Sequence, residues 1–361
     1  MNLPPASPRI RVLVVDDSAL ARRVILDALA LDPAIEVVGT APDPYVARDR
    51  ILELQPDVVT LDMEMPHMDG LTFLKILQEH HPVPVVVLST LTTAGSEIAY
   101  QALAAGAVEV LAKPDAGRGI ARIARELANG IKAAARSRRR LPIPQAPAPR
   151  RPDAAAEFDG AAARGKVLLI GASTGGVEAL RELLPQLPAK LPPTVIVQHI
   201  PAGFSRIMAG HLDELCPFSV REAVDGDLLQ PGLCLVAPGD QHATVVPSPR
   251  GLVIKLLQTP PVHHCRPSVD VLFRSAVEPV GANAVAVLLT GMGSDGARGM
   301  HLLRNAGART LAESEESCVV FGMPAAAIQA GAVEQVVALE QMPGAILQAL
   351  SQTSHATQRN R

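Results

Sequence analysis

The amino-acid sequence predicts an α/β protein of two domains, each built on a parallel sheet. In both halves of the chain, short runs rich in Val, Leu and Ile alternate with amphipathic stretches, which is typical of strands joined by crossover helices. A segment rich in Pro, Ala and Arg separates the two halves. The 361 residues, 48% of them hydrophobic, provide enough apolar material for two cores.

The N-terminal half contains candidate strands of nearly continuous apolar sequence, as expected where helices cover both faces of a parallel sheet. These strands begin at Arg11, Glu36, Asp57, Val83 and Val108. The intervening amphipathic stretches predict helices over residues 18–31, 44–54, 71–80 and 96–105.

Residues 136–165 show no apolar period and are predicted to form a solvated linker. The arginines of this segment either keep it soluble or dock a partner. On either side, the predicted domains are residues 1–135 and residues 166–352, and residues 353–361 form a polar tail.

The C-terminal half repeats the alternation of strands and helices. Its candidate strands begin at Lys166, Thr194, Gly232 and Ala284. Helices are predicted over residues 176–184, 205–215, 268–278 and 297–305. A hairpin is expected over residues 242–257.

Composition argues against several classes of protein. No apolar run approaches the ~18 residues of a membrane-spanning helix, and the N-terminus lacks the apolar core of a signal peptide, so we expect a cytoplasmic protein without membrane insertion. A formal net charge of −3 and an aromatic content of 2% argue against nucleic acid as a partner. The cysteines are widely spaced, which favours buried thiols over disulfides or a zinc site. They are Cys216, Cys234, Cys265 and Cys318.

Polar residues follow the carboxyl ends of four predicted strands in the N-terminal half. They are Asp16, Asp17, Asp62, Ser89 and Lys113. Ligands bind at this edge of an open parallel sheet, and carboxylates crowded there repel one another unless a hard cation such as Mg²⁺ lies among them. Asp62 is then a candidate nucleophile that forms an acyl phosphate, with Lys113 and Ser89 on the phosphoryl oxygens. Alternatively, Asp16 and Asp17 only cap the following helix.

Residues 10–135 resemble a response-regulator receiver domain in the motifs VVDDS, LDMEMPHMDG, LST and AKP. The resemblance implies a flavodoxin-like doubly wound sheet and phosphorylation of Asp62 by a histidine kinase. The other implied site residues are Asp16, Asp17 and the Glu64 carbonyl, which join Asp62 in holding Mg²⁺, and Ser89 and Lys113, which hold the phosphoryl group. One departure is Val110, which stands where many receivers carry an aromatic switch residue.

A glycine-rich turn, residues 171–176 (GASTGG), lies between a strand and a helix of the second half. It contains G-x-S-x-G, the pattern of a nucleophile elbow, but it also fits a turn that holds a cofactor pyrophosphate, or simply a tight turn. A serine nucleophile needs a base, and the base needs an orienting acid. His199 ends the next strand and Asp295 follows another, so both can converge with Ser173.

Other assignments fit the sequence less well. His301 would restore the Ser…Asp…His order of α/β-hydrolases, but it falls inside a predicted helix. A dehydrogenase would need a Tyr-x-x-x-Lys pair, and both tyrosines, Tyr45 and Tyr100, lie in the other half. The run His263-His264-Cys265 has metal-binding residue types, but three consecutive residues rarely face one ion. Structural or surface roles are expected for His211, His242, His263 and His264.

The motifs IGASTGG, QHIPAGF, APGDQH, RPSVDVLF, LLTGMGSDGARGM and SCVVFGMP together resemble the chemotaxis protein-glutamate methylesterase family, CheB. With the receiver, this resemblance covers the chain apart from the linker and both tails. It implies a Rossmann-like α/β methylesterase domain. The residues carried over are Ser173 as nucleophile, His199 as general base, Asp295 as its orienter, Thr174 in the active site and the Met292 backbone N–H at the oxyanion. Cys265 stands where the family commonly has His.

The resemblance implies a phosphorylation-activated serine esterase that hydrolyses glutamate methyl esters on chemoreceptors, releases methanol and deamidates receptor glutamines. The implied partners are methyl-accepting chemoreceptors as substrate and the chemotaxis histidine kinase CheA as phosphodonor. Mg²⁺ would serve the receiver, and the esterase reaction would need no cofactor. The unmodified receiver is expected to restrict access to Ser173. The alternatives are a general serine esterase that ignores phosphorylation, and a receiver with a DNA-binding output, which would need a basic recognition helix.

Overall fold

The computed structural model describes residues 8–89, 93–113, 120–137, 158 and 163–352. The chain separates into two compact units, Met1–Gln145 and Ala146–Arg361. The division falls within the segment predicted to be a linker. Most of that segment and the predicted tail lie outside the described residues.

The first unit is a five-stranded parallel sheet in the order β2-β1-β3-β4-β5, the flavodoxin-like doubly wound arrangement that the sequence predicted. Its strands are β1 (Ile10–Val15), β2 (Ile35–Ala41), β3 (Val58–Asp62), β4 (Val85–Ser89) and β5 (Glu109–Ala112). Its helices are α1 (Ala19–Leu29), α2 (Pro44–Leu54), α3 (Gly70–His80), α4 (Thr93–Ala104) and α5 (Ile120–Ser137). Helix α5 was not predicted from the sequence, and it continues past the expected start of the linker at Arg136.

Local sequence fixes where these helices begin. Ser18 accepts a hydrogen bond from the Ala21 N–H at the start of α1, and Asp43 and Asp69 cap α2 and α3 in the same way. Strands β3 and β4 are buried along their whole length because helices pack on both faces of the sheet. The carboxyl ends of β1, β3 and β5 therefore meet at one edge.

The second unit is a seven-stranded parallel sheet in the order β14-β13-β12-β6-β7-β9-β8, with a separate antiparallel hairpin of β10 and β11. Its strands are β6 (Val167–Ala172), β7 (Thr194–Gln198), β8 (Ser219–Glu222), β9 (Leu233–Val236), β10 (His242–Ser248), β11 (Gly251–Leu257), β12 (Ala284–Leu288), β13 (Arg309–Glu313) and β14 (Gln335–Val337). Its helices are α6 (Gly176–Leu183), α7 (Phe204–Leu215), α8 (Val269–Ser275), α9 (Ala297–Asn305), α10 (Met323–Gln329) and α11 (Met342–Ser351).

The strand order of this sheet reverses between β6 and β12. From β6 the chain moves outward to β7 and β9, and it later returns to β12 on the other side before moving out to β13 and β14. Such a switch point leaves a crevice at the carboxyl ends of the two central strands. The glycine-rich turn at residues 171–176 follows β6 and opens into this crevice. Among the described residues, no helix is long and apolar enough to span a membrane.

Candidate active site

Ser173 is the first residue after β6, at the switch point of the sheet. Its N–H donates to the Thr290 carbonyl beyond β12 at 3.0 Å, so its backbone bridges the two central strands. Its own carbonyl accepts from the Gly176 N–H at 2.7 Å in the tight turn that starts α6. The residue is half-buried, so its hydroxyl is held by a fixed backbone and still open to a ligand.

His199 stands at the matching place on the neighbouring strand. Strands β6 and β7 are parallel with Ala172 opposite Gln198, and the His199 N–H donates to the Ala172 carbonyl at 3.1 Å. Ser173 and His199 thus leave adjacent strands at the same level.

Asp295 lies against the His199 ring, with its Oδ2 2.8 Å from Nε2. The side chain of His199 is 11% exposed and that of Asp295 is 2% exposed. Because Nε2 is taken by Asp295, Nδ1 is the ring nitrogen left to exchange a proton with another group.

The Asp295 carboxylate is held in place by a set of donors at the start of α8. The Ser268 hydroxyl and the Asp270 N–H donate to Oδ1 at 2.8 and 3.0 Å, and the Val269 N–H donates to Oδ2 at 2.7 Å. The Gly296 N–H adds a further bond to Oδ1 at 3.1 Å. Burial alone would raise the pKa of Asp295, but the hydrogen bond with His199 and the backbone donors bring it below its usual value. The acid therefore stays ionised beside the ring.

The Cys265 side chain also contacts His199. Burial of the ring would lower the pKa of His199, but a negative charge on Cys265 and the hydrogen bond with Asp295 raise it to about 10. The charge contribution of Cys265 exists only when its thiol is ionised.

Backbone N–H groups near Ser173 come from the loop after β12. Met292 lies in this loop, and no hydrogen bond within residues 163–352 uses its N–H. The loop is anchored at Thr290, whose hydroxyl donates to the Thr174 carbonyl at 3.0 Å and whose N–H donates to the buried Glu313 carboxylate at 2.8 Å. Thr174 itself is buried. Gly291, the residue before Met292, lies against Ser173, and an unused N–H in this loop is the kind of donor that an oxyanion needs.

The competing residues lie elsewhere. His301 is inside α9, as its helical sequence pattern predicted, and Asp295 pairs with His199 rather than with it. His263 pairs with Asp270 at 3.0 Å, whereas Cys265 faces His199, so these neighbours in sequence have different partners. Tyr45 and Tyr100 belong to the first unit.

A second cluster of charged groups lies at the carboxyl edge of the first unit. The Lys113 ammonium is 2.7 Å from Asp62 Oδ2 and 3.5 Å from Asp16 Oδ2. One carboxylate oxygen of each of Asp16, Asp17 and Asp62 lies within 4.8 Å of the other two. Ser89 is the last residue of β4 and is buried. The Glu64 N–H donates to Asp62 Oδ1 at 3.2 Å, which places that peptide at the cluster.

This cluster fits a divalent cation. Asp16 and Asp62 are buried, and Asp16 Oδ2 has no hydrogen-bond partner among the described residues. Burial raises the pKa values of Asp16 and Asp62, and the Lys113 ammonium offsets only part of that effect. Buried carboxylates with an unsatisfied oxygen are a typical donor set for Mg²⁺.

Sequence reasoning missed several residues that shape the second site. Gln198 is buried and its side-chain amide donates to the Ser173 and His199 carbonyls at 2.8 and 3.1 Å. Ser268 caps α8 and also holds Asp295, so its position as the first residue of the predicted helix 268–278 was the available signal. Thr290 and the Cys265–His199 contact carried no local signal because their partners are distant in the sequence.

Comparison with known proteins gives matches to both units. The family model for CheB methylesterase matches residues 168–346, and the model for the response regulator receiver domain matches residues 12–124. A protein-glutamate methylesterase/protein-glutamine glutaminase of Chromohalobacter salexigens is 50% identical over 343 residues, which are 94% of this chain and 96% of that protein. One of the same name from Syntrophotalea carbinolica is 48% identical, over 95% of this chain and 98% of its own.

A solved structure is similar to the second unit. The crystal structure of the Thermotoga maritima CheB methylesterase catalytic domain is 37% identical and gives a TM-score of 0.50, covering 51% of this chain and 98% of its own.

Proposed function

This chain belongs to the CheB methylesterase family and is a protein-glutamate methylesterase/protein-glutamine glutaminase with a receiver domain, and from that premise we propose that Ser173, His199 and Asp295 carry its chemistry. The observation that supports this assignment most directly is the 2.8 Å contact between His199 Nε2 and Asp295 Oδ2. His199 follows the strand that neighbours the strand before Ser173. An imidazole oriented by a buried carboxylate beside an open serine is the arrangement of a serine hydrolase.

In the first half of the reaction, Ser173 Oγ attacks the carbonyl carbon of the glutamate methyl ester. His199 accepts the serine proton and then delivers it to the departing methoxide, which leaves as methanol. Asp295 keeps the ring oriented and stabilises the imidazolium while it carries the proton. The product of this half is an acyl-enzyme on Ser173.

In the second half, water attacks the acyl-enzyme and gives up a proton to His199. That proton returns to Ser173 as the glutamate carboxylate leaves. A receptor glutamine enters the same sequence with ammonia as the leaving group, which accounts for the glutaminase activity with the same residues.

The negative charge on the carbonyl oxygen needs donors that are fixed before the reaction. We assign this role to the Met292 N–H, and Thr174, the residue after the nucleophile, to the support of the site. Loss of one such donor costs about 3–4 kcal/mol in comparable enzymes. The Thr290 bonds to Thr174 and Glu313 hold the loop that carries Met292.

Phosphorylation of Asp62 is proposed as the control of this esterase. Asp16, Asp17, Asp62 and the Glu64 carbonyl would hold Mg²⁺, which when bound neutralises charge on the phosphoryl oxygens. Asp62 accepts the phosphoryl group from a histidine kinase. Lys113 then leaves its ion pair with Asp62 and pairs with the phosphoryl group, to which Ser89 donates a hydrogen bond. The change of charge at Asp62 and Lys113 would then raise esterase activity. The proposed substrates are chemoreceptors.

Methanol release from methylated receptor membranes tests the proposal. The assay compares the natural chain, Ser173→Ala and Asp62→Ala, each with and without Mg²⁺ and a small phosphodonor. We expect phosphodonor to raise release in the natural chain but not in Asp62→Ala, and we expect no release from Ser173→Ala.

Two other outcomes would change the assignment. Release that needs Ser173 but ignores phosphodonor would leave the alternative of an ungated esterase. Absence of release from receptors in every arm would remove chemoreceptors as the substrate. The alternative of a DNA-binding output has no support, because the family model that matches the second unit is an esterase.

A further inference from the structure

We propose that Cys265 is a site of reversible covalent modification by small-molecule disulfides, and that modification of its Sγ disables His199. The inference rests on the proposed function, since it takes His199 as the general base of the esterase. It concerns a thiol that the reaction itself does not use.

A tight turn presents Cys265 to the active site. Val262 and Cys265 pair through both backbone bonds, at 3.0 and 2.8 Å, and the two residues between them, His263 and His264, have φ values of 51° and 65°. Two consecutive residues with positive φ are the geometry of a two-residue hairpin turn. The bond from His263 to Asp270 at 3.0 Å ties the turn to α8, the helix whose start holds Asp295. The thiol therefore has a defined position.

The thiol, the imidazole and the carboxylate form one cluster. One ring nitrogen of His199, the Cys265 Sγ and one carboxylate oxygen of Asp295 lie within 4.8 Å of one another. The thiol itself donates to the His263 carbonyl in the same turn, at 3.5 Å. A cysteine beside a histidine that is oriented by an acid is the arrangement that activates a thiol. His199 thus has two neighbours whose protons it can accept, Ser173 and Cys265.

Cys265 differs from the other three cysteines in both access and surroundings. Cys234 and Cys318 are buried. Cys216 is half-buried like Cys265, but burial and the nearby Asp213 carboxylate raise the pKa of its thiol to about 12, so almost none of it is thiolate near neutral pH. Since the thiolate is the reactive form, Cys265 is the thiol of this chain that meets both requirements.

The modification is an ordinary thiol–disulfide exchange. The Cys265 proton passes to His199, and Sγ attacks one sulfur of the small disulfide. The new Cys265 S–S bond forms as the old one breaks, and the second half of the reagent leaves as a thiolate that takes a proton. One disulfide bond breaks and one disulfide bond forms, so no further oxidant is needed. Excess free thiol reverses the exchange.

The adduct would interfere with His199 in two ways. The added group occupies space beside the imidazole that a receptor glutamate must approach. It also crowds the ring, which shifts Nε2 from its hydrogen-bonded position against Asp295. Because a positioned general base contributes on the order of 10²–10⁴-fold to rate, even partial displacement of His199 lowers methanol release at least about tenfold.

The test uses the full chain, oxidised glutathione as the probe, and two readouts. Peptide mass mapping follows the mixed disulfide at each cysteine, and methanol release follows the esterase. We expect modification of Cys265 ahead of the other cysteines, a fall in activity of at least about tenfold in step with it, and recovery with dithiothreitol. Cys265→Ser, compared with its own untreated activity, should resist the probe, and the matched control Cys216→Ser should respond like the natural chain.

Other results would overturn the proposal. It is wrong if Cys265 is modified without loss of activity, or if Cys265→Ser is inhibited as strongly as the natural chain. The activation step is checked with His199→Asn, which should slow modification of Cys265 several-fold while leaving that of Cys216 unchanged. An unchanged rate at Cys265 contradicts the role of the ring.

The same experiment separates this inference from the proposed function. Ser173→Ala should abolish methanol release without altering the rate at which Cys265 is modified. If Ser173→Ala still releases methanol, the assignment of the nucleophile fails, and the modification data still report on the thiol.

Discussion

The Asp295 carboxylate organises the loop around it as well as the His199 ring. One oxygen accepts bonds from Ser268, Asp270 and Gly296, and the other accepts from Val269 and faces His199. All of these partners are hydrogen-bond donors, so both side-chain atoms that face them must be acceptors, as in a carboxylate. The residue is therefore needed by the fold of the loop and by the proposed chemistry.

Replacing Asp295 with Asn should lower both the stability of this loop and the rate of the proposed reaction. The amide NH₂ must face a donor on one side, which costs about 1–3 kcal/mol of stability, and the imidazolium loses its counter-charge, which lowers kcat by about 10³–10⁴-fold. The matched control is Asp270→Asn. That side chain is also buried and accepts the Gly299 N–H at 2.6 Å, but it lies against His263 instead of His199. Thermal unfolding and methanol release should show similar destabilisation in both variants and the large kinetic loss only in Asp295→Asn.

The Cys265–His199 pair predicts a shift in the pH profile. The Cys265 thiolate raises the pKa of His199 because it stabilises the charged ring. A base acts only when deprotonated, so its activity is present above the pKa and is lost as the pH falls through it. Cys265→Ala should therefore move the acid limb of kcat/KM to lower pH. A limb that stays in place would show that the thiol does not influence the ring, and a limb that moves to higher pH would show that the thiol does not stabilise the charged ring.

Single residues mark the limit of what the sequence could predict. Ser173, His199 and Asp295 were found because each follows a strand that local pattern reveals, and the ends of parallel strands share an edge. The contact of Cys265 with His199 was not found. It depends on a turn with two residues of positive φ, and nothing in the pattern around His263 and His264 indicates which way the next side chain points.

Among the elements, segments with clear boundaries were predicted, whereas helix α5 and three short strands were missed. The helix at 297–305 and the hairpin at 242–257 have the predicted bounds because glycines, polar residues and clear periodicity delimit them. Strands β8 and β14 were missed because they are short and partly exposed, without a continuous apolar run. Strand β13 is largely buried, but its terminal residues Arg309 and Glu313 are charged, so the sequence lacks the continuous apolar run that predicts a buried strand.

The loop after β12 depends on a glycine that touches the nucleophile. A Cβ on Gly291 would lie 2.7 Å from Ser173 Cβ and 2.5 Å from Met323 Sδ, both inside normal contact distance. Gly291→Ala should displace Ser173 or the Met292 loop, and a misplacement of about 1 Å costs on the order of 10²-fold in rate. The control is Gly210→Ala in α7, where an added Cβ has open space. Methanol release should fall for the first variant and hold for the second. Equal activity in the two would mean that the loop tolerates the shift.

The molecule as a whole carries two sites of opposite character, one in each unit. The first unit holds buried carboxylates whose burial the Lys113 ammonium offsets only in part, so it is prepared to gain a cation and a phosphoryl group. The second holds a carboxylate whose charge is stabilised by the donors around it, so it stays ionised beside His199.

This contrast predicts how Mg²⁺ affects stability. Burial raises the pKa values of Asp16 and Asp62, so the folded chain binds protons there more tightly than the unfolded chain does. Stability without Mg²⁺ therefore falls as pH rises through these pKa values, and the cost of two buried charges is fully present above them. Mg²⁺ should offset that cost, raising the unfolding temperature most above the raised pKa values and less as protons displace it at lower pH.

Calorimetry at several pH values, with and without Mg²⁺, measures the effect, and Asp16→Asn provides the comparison. The variant loses one charge and one ligand, so its unfolding temperature should be less sensitive to Mg²⁺ at every pH. Asp295→Asn changes the other unit and should keep the full Mg²⁺ response. A response that Asp16→Asn leaves intact would place the cation away from this cluster. The unsatisfied oxygen of Asp16 would then need a partner other than a metal ion.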